Sequence, residues 1–290
     1  MRIGTRASPL ALAQARTVAA LFDGAELVPI ATSGDRGSAA SDKERWVKEL
    51  ELALLAGEID LAVHSAKDVP SELPGGLELV GAPPRGDPFD ALVGASSLDA
   101  LPEGAAIGTA SARRAAQLRA LRADLCVTVL RGNVDTRLRK LAEGEVDALV
   151  LAAAGLHRLG RAPEIGCVLD ELVPCAGQGT LVLEARAGDE HAAAAAAAVT
   201  DAPTWDALQA ERALVAGLDA SCNTPLGAYA TIGDGGIVLR TFVGLPDGSA
   251  WLRDETPAAP TAREAGELAA QRLLSAGAAE LLQRAEELAR

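Results

Sequence analysis

RIGT (2–5), LALAQARTVAALF (10–22), ELVPIAT (26–32), WVKELELALLAG (46–57) and IDLAVHS (59–65) follow one another at the start of the chain. Short apolar runs alternate with longer segments whose apolar residues recur every three or four positions, the pattern of strands alternating with amphipathic helices. A helix that crosses between two strands sets them parallel, so this order predicts an α/β unit on a parallel sheet. Pro83-Pro84-Arg85-Gly86-Asp87-Pro88 stops both kinds of element and reads as a linker. Beyond it the alternation returns as DALVG (90–94), AAIGT (105–109), RRAAQLRAL (113–121), LCVTVL (125–130), VDTRLRKLAEG (134–144) and VDALVLAAA (146–154), which predicts a second α/β unit. LVLEARAG (181–188) reads as a strand that returns to the first. After the alanine run 192–198, read as helix, come WDALQAERALVAG (205–217), three strand-like segments and two further helical stretches, the make-up of a small α+β domain. The expected organisation is a discontinuous first lobe (1–83 and about 180–200), a second lobe (87–176) and an α+β domain (202–290). Two lobes joined by crossing strands predict a ligand cleft at the carboxyl ends of the strands.

Composition narrows the function classes. The net charge is -13, yet residues 107–161 carry ten basic side chains against five acidic ones, which predicts a bound anion in that window. Three Phe, three Trp and one Tyr leave few stacking platforms, so nucleic acid is not an expected partner. The N-terminal MRIGTRASPLALAQA lacks a signal peptide's apolar core and no run is long enough to span a bilayer, so the expectation is a cytoplasmic protein without a membrane partner. Cys126, Cys167, Cys175 and Cys222 match no zinc spacing, which predicts neither a structural metal site nor disulfides.

Several constellations carry chemistry. Thr109-Ala110-Ser111 follows a strand and opens a helix with Ser111 as N-cap; Arg113 and Arg114 then stand in its first turn, against the helix dipole, which favours an anion site over a solvated turn. Arg131 and Arg137 follow the next strand and Arg158 the one after, so parallel neighbours would bring five arginines to one sheet edge, suited to bidentate grips on carboxylates. Arg139 and Lys140 read as surface residues. Lys67 and Asp68 lie just past the strand LAVHS, either as a catalytic carboxylate with a cation beside it or as a local surface ion pair. His64 reads as a packed strand residue. Arg6 with Ser8 and Pro9 forms a second helix-start anion grip, and GDRGSAASDKER (34–45) a lid. Cys222 sits in a polar turn, LDASCNTPLG (218–227), as a reactive thiol or a buried loop thiol; Cys126 fits the buried reading. Gly177-Gln178-Gly179 is too short for a dinucleotide fingerprint.

In order and at matching spacing, RIGTRASPLALAQA (2–15), VKELELALL (47–55), DLAVHSAKDVP (60–70), LRGNVDTRLRKL (130–141), LVLAAAGLHRLG (149–160) and the Cys222 loop with Glu211-Arg212 before it resemble the hydroxymethylbilane synthases, also called porphobilinogen deaminases, across nearly the whole chain. The resemblance implies two periplasmic-binding-protein-like α/β lobes around a cleft plus a small α+β C-terminal domain. It implies a monomeric transferase of porphyrin and haem biosynthesis that joins four porphobilinogen units head to tail with release of ammonia, holds the growing linear oligopyrrole, and frees hydroxymethylbilane. It implies a dipyrromethane cofactor bound through a thioether to Cys222 and contacted by Lys67, Asp68, Thr109, Ser111, Arg113, Arg114, Arg131 and Gly132. By the same resemblance Arg6, Ser8, Arg131, Arg137 and Arg158 bind substrate, and Asp68 is catalytic. Three positions depart from the family pattern: Ala110 for a serine, Ala220 for a glycine, and Lys43-Glu44-Arg45-Trp46 for a glycine-containing stretch ending in phenylalanine. The competing class is a two-lobed anion-binding module without catalysis, which leaves Cys222 and the third domain without a task.

Overall fold

Ser8 ends the first strand and starts the first helix: its hydroxyl accepts the Ala11 N–H at 3.3 Å, and Pro9 takes the first helical position. Ser111, Asn133, Asp189 and Thr261 open their helices by the same device. The computed structural model describes residues 1–32, 44–220 and 224–288. The expected lid up to residue 43 and the thiol at Cys222 lie outside the described residues.

In chain order the elements are β1 (Arg2–Arg6), α1 (Pro9–Ala19), β2 (Glu26–Ile30), α2 (Glu44–Leu55), β3 (Leu61–Ser65) with a 3-10 turn (Ala66–Asp68), and β4 (Leu77–Gly81). Then come β5 (Asp90–Val93), β6 (Ala106–Gly108), α3 (Ala112–Leu121), β7 (Cys126–Thr128), α4 (Val134–Ala142), β8 (Ala148–Ala152), α5 (Ala153–Arg158) and β9 (Ile165–Leu169). The chain continues with β10 (Leu181–Arg186), α6 (Glu190–Val199), α7 (Ala202–Gly217), β11 (Leu226–Gly233), β12 (Gly236–Gly244), β13 (Trp251–Glu255), α8 (Ala262–Ser275) and α9 (Ala278–Leu288). The alanine run is helical, as its setting predicts. Two compact units result, residues 1–86 with 177–208 and residues 87–176 with 209–290.

The first unit is built on a five-stranded sheet in the order β2-β1-β3-β10-β4. β1 runs parallel to β2 and β3, as the crossover helices require, while β10 runs antiparallel to β3 and β4. The sheet is therefore mixed. Ninety residues, 87–176, separate this strand from the first segment, so no short crossover helix fixes its direction. Ile3, Leu61, Val63 and Leu183 pack with Val18, Ala192 and Ala196 on one face; Leu50, Leu54, Ile59 and Ala62 pack together on α2's side.

In the second unit the order is β7-β6-β8-β5-β9, with β6 parallel to β7 and β8, and β5 antiparallel to β8 and β9. β5 and most of β8 are buried, which is why they read as unbroken apolar runs. An antiparallel sheet, β11-β12-β13, completes the unit with α8 and α9 against it. Arg240 and Arg253 donate to the carbonyls of Asp170 and Glu171 at 3.2 and 2.6 Å, which ties this sheet to the chain just after β9.

Gly177 shows what the Gly-Gln-Gly segment does. Its φ is +73°, and a Cβ there would lie 2.9 Å from the Ala66 carbonyl carbon and the Lys67 nitrogen. Thr180 accepts the Ala66 N–H at 3.0 Å, so the segment braces the 3-10 turn that carries Asp68. Gly177→Ala is expected to cost about 1–3 kcal/mol, from the left-handed backbone and the forced retreat of that turn, read as a lower denaturation midpoint. An unchanged midpoint removes the bracing role.

Candidate functional site

β6, β7 and β8 lie side by side in register, Gly108 opposite Thr128 and Leu149, so the loops that follow them share one sheet edge. From that edge α3, α4 and α5 depart, and the two longer ones, α3 and α4, point the positive ends of their dipoles back at it. Ser111 caps α3 and Asn133 caps α4, the latter accepting the Thr136 N–H at 2.8 Å. Thr109 is buried; its hydroxyl accepts the Ser111 N–H at 3.2 Å. Gly132 holds φ +125°, where a Cβ would meet Thr136 at 2.7 Å, so only glycine fits beside exposed Arg131.

The anion that Arg113 and Arg114 require is present in the protein itself. Asp90, the first residue of β5 and fully buried, accepts Arg113 Nη2 at 2.8 Å on one oxygen and Arg114 Nε and Nη2 at 2.9 and 2.7 Å on the other. Arg113 Nη1 donates to the Val173 carbonyl at 2.6 Å and Arg114 Nη1 to the Val150 carbonyl at 3.0 Å. Burial works against the Arg113 charge, but Asp90, and after it the Cys175 sulfur, outweigh that and hold its pKa above the ordinary arginine value. Cys175, which has no basic neighbour in sequence, thus has one in space.

Arg137 stands differently. Burial, and next the charge of Arg114, push it down to about 10, and its buried Nε has no hydrogen-bond partner among the described residues. Arg158, at the end of α5, is likewise pushed down to about 10 by burial. Arginines so shifted are still charged at neutral pH, and at Arg137 the idle Nε leaves that charge without a hydrogen-bond acceptor on that atom. Arg139 pairs with Glu143 on the exposed face of α4, as its surface reading predicts.

In the first unit, β1 and β3 end on one edge. Arg6 leaves β1 there, its guanidinium 4.1 Å above the ring of Trp46, so the aromatic that replaces the expected phenylalanine stacks on a predicted substrate grip. Lys67 and Asp68 are half-buried, and among the described residues neither side chain makes a hydrogen bond or ion pair. The local surface pair is therefore not formed. His64 is buried as expected, with its Nε2 2.8 Å from Glu184 Oε2 on β10.

One thiol reading is corrected: Cys126 is exposed, not buried. β7 is the edge strand, and its alternation turns Val127 toward the core and Cys126 away from it. Near the other thiol, α7 ends with Asp219 at φ +49°, its N–H on the Ala216 carbonyl and that of Ala220 on Val215. The left-handed position therefore falls on Asp219, one residue before the missing glycine, and aspartate tolerates it at modest cost. Asp90, Gly177 and Glu184 are the residues that sequence reasoning missed; an acid inside the apolar run DALVG was the available signal, because a buried carboxylate needs a cation.

Residues 1–194 match the family described as porphobilinogen deaminase, dipyromethane cofactor binding domain, and residues 205–275 its C-terminal domain. The chain belongs to the porphobilinogen deaminase family. The porphobilinogen deaminase of Deinococcus radiodurans is 46% identical over 305 residues, 98% of each chain, and that of Rubrobacter xylanophilus 45% identical over 97% of this chain and 95% of its own. Among solved structures the methionine binding protein MetQ aligns with a TM-score of 0.45 at 16% identity, over 69% of this chain and 89% of that one. Membership of the family makes the chain a transferase of tetrapyrrole biosynthesis with a dipyrromethane-binding domain. Among the described residues no helix is long and apolar enough to cross a membrane.

The depressed Arg137 value has a stability consequence. A cation whose folded-state pKa lies below its unfolded value is penalised by folding throughout neutral pH, and stability rises with pH only as the group deprotonates above about 10. Arg137→Met is therefore expected to raise the melting temperature of the ligand-free protein by roughly 2–4 °C. A lower melting temperature in calorimetry contradicts a guanidinium held short of negative charge.

Proposed function

We propose that the chain acts as a hydroxymethylbilane synthase: it condenses four porphobilinogen molecules head to tail, releases one ammonia per unit, and frees the linear tetrapyrrole. The observation that carries this reading is half-buried Arg137, whose Nε is buried and unpartnered among the described residues, at an edge where α3 and α4 begin. Each porphobilinogen brings two carboxylates, and this is the charge such an edge lacks. A hydrogen bond to a charged group nets roughly 1.5–3 kcal/mol, so a few of them hold a polycarboxylate chain firmly.

Arg6, Ser8, Arg131, Arg137 and Arg158 are the substrate grips in this reading. Lys67, Thr109, Ser111, Arg113, Arg114, Arg131 and Gly132, with Asp68, hold the dipyrromethane. The orphaned Nε at Arg137, close enough to Arg114 to feel its charge, fits a ligand that brings carboxylates. Bound through a thioether to Cys222, the dipyrromethane supplies the free pyrrole α-carbon from which the chain is extended. A thiolate suits that attachment because sulfur is an effective nucleophile toward a soft carbon electrophile.

Asp68 is the catalytic carboxylate. It stabilises positive charge at the substrate's pyrrole nitrogen as the aminomethyl nitrogen departs as ammonia, and it carries protons between steps. Its turn is braced by Gly177 and Thr180, and among the described residues its carboxylate makes no hydrogen bond or ion pair. The reading has the chain work as a cytoplasmic monomer, without nucleic acid or membrane. An anion-binding module would need neither a free carboxylate at Asp68 nor a thiol at Cys222.

Two experiments test it. The intact purified protein is expected to weigh more than its sequence by one dipyrrole; Cys222→Ser abolishes the adduct while Cys126→Ser, although this thiol is exposed, keeps it. Fully active protein of unmodified mass overturns the covalent cofactor, and the reverse pattern moves it to the other thiol. Asp68→Asn is expected to leave the melting temperature unchanged and to lower ammonia release from porphobilinogen by about 10²–10⁴-fold. Turnover near the wild-type rate removes Asp68 from the chemistry.

A further inference from the structure

Asp90 sits where the arginine edge is assembled. β5 runs antiparallel to β8, and its first residue pairs with Ala152, the last of β8, so the carboxylate lies level with the starts of the loops that carry the arginines. It is fully buried and is gripped by two guanidinium groups whose side chains are only 3% and 7% exposed. Each of its oxygens serves a different arginine, and each arginine spends a further donor on a backbone carbonyl, Val173 or Val150. Such a triad fixes the guanidinium planes, not only their charges.

The triad sets one carboxylate between two guanidiniums, with the Cys175 sulfur as a further counter-group to Arg113. Stability alone does not account for such a triad, because buried ion pairs are often replaceable by apolar residues without loss of stability. The charge of Arg114 reaches next door, where, after burial, it is a cause that depresses Arg137. Asp90 therefore does two jobs at once. It neutralises charge so that α3 can begin with two arginines, and it fixes the planes of their guanidinium groups.

We infer that Asp90 is a positioning residue for the dipyrromethane site, holding Arg114, with Arg113 behind it, in the orientation that receives the cofactor's carboxylates. This rests on the reading that these arginines serve the cofactor. Asp90 itself touches neither cofactor nor substrate.

The test reads the fraction of purified, folded protein that carries the dipyrrole mass, together with KM and kcat for porphobilinogen in the loaded fraction. Asp90→Asn is expected to unfold cooperatively yet carry the adduct at about one tenth of the wild-type fraction or less, with KM raised more than kcat is lowered, and Asp90→Glu to recover part of the loss. Arg114→Lys, which keeps the charge but not the two-point hold on Asp90, is expected to share the loading defect, and it decides the matter if Asp90→Asn does not fold. Normal loading in a folded Asp90→Asn, or in Arg114→Lys, while Arg114→Ala loads poorly, overturns the positioning role and leaves the arginine reading intact. Normal loading in Arg114→Ala overturns the arginine reading itself.

Discussion

Positive charge gathered at the starts of helices is the constraint that organises the second unit. Helix dipoles already make that end of α3 and α4 electropositive; α3 adds Arg113 and Arg114 with no acid in its first turn, and α4 follows Asp135 with Arg137. A folded chain tolerates this only if negative charge is supplied from elsewhere. Asp90 supplies part of it from within, through contacts of 2.7–2.9 Å to Arg113 and Arg114. Burial depresses Arg137 and Arg158 toward 10, and of the two it is Arg137 whose buried Nε has no hydrogen-bond partner among the described residues.

The first unit solves the opposite problem. A carboxylate that works on a developing cation must be left without a protein cation of its own, yet must not wander. Asp68 meets both conditions: among the described residues it has no ion-pair partner, while the backbone of its turn is held by Thr180 and by the close approach of Gly177. Rigidity comes from the main chain and availability from the side chain. That division fits the catalytic role proposed for Asp68.

Much of this was legible in the sequence, for reasons that differ by element. Helix starts are local, so Ser8 with Pro9 and Ser111 could be read from a few neighbouring letters. Parallel pairing of β6 with β7 and β8 followed from the intervening helices, and with it the shared edge of the arginine loops. The directions of β5 and β10 did not, because no crossover helix links them to their neighbours. Asp90 stayed hidden since its partners lie 23 and 24 residues away and nothing local announces them. Cys126 was misread because an apolar run was taken as buried, whereas the edge position of β7 exposes every second residue. The bracing role of Gly177 depends on a contact with Ala66 and Lys67, more than a hundred residues earlier, which no motif encodes.

These long-range contacts change how the arginines should be ranked. By sequence, Arg113, Arg114, Arg131, Arg137 and Arg158 were equivalent members of one cluster. In the folded chain Arg113 spends Nη1 and Nη2 on Val173 and Asp90, Arg131 is exposed, and Arg137 keeps a buried Nε without a partner among the described residues. A guanidinium committed to the interior acts on a ligand through its field and through the neighbours it holds in place; one with an idle buried donor acts by direct contact. The cluster is thus graded, from a guanidinium committed to the interior to one with an idle buried donor. Its grading is set by one aspartate that the charge count of the window, +5 between residues 107 and 161 from ten basic and five acidic side chains, does not include.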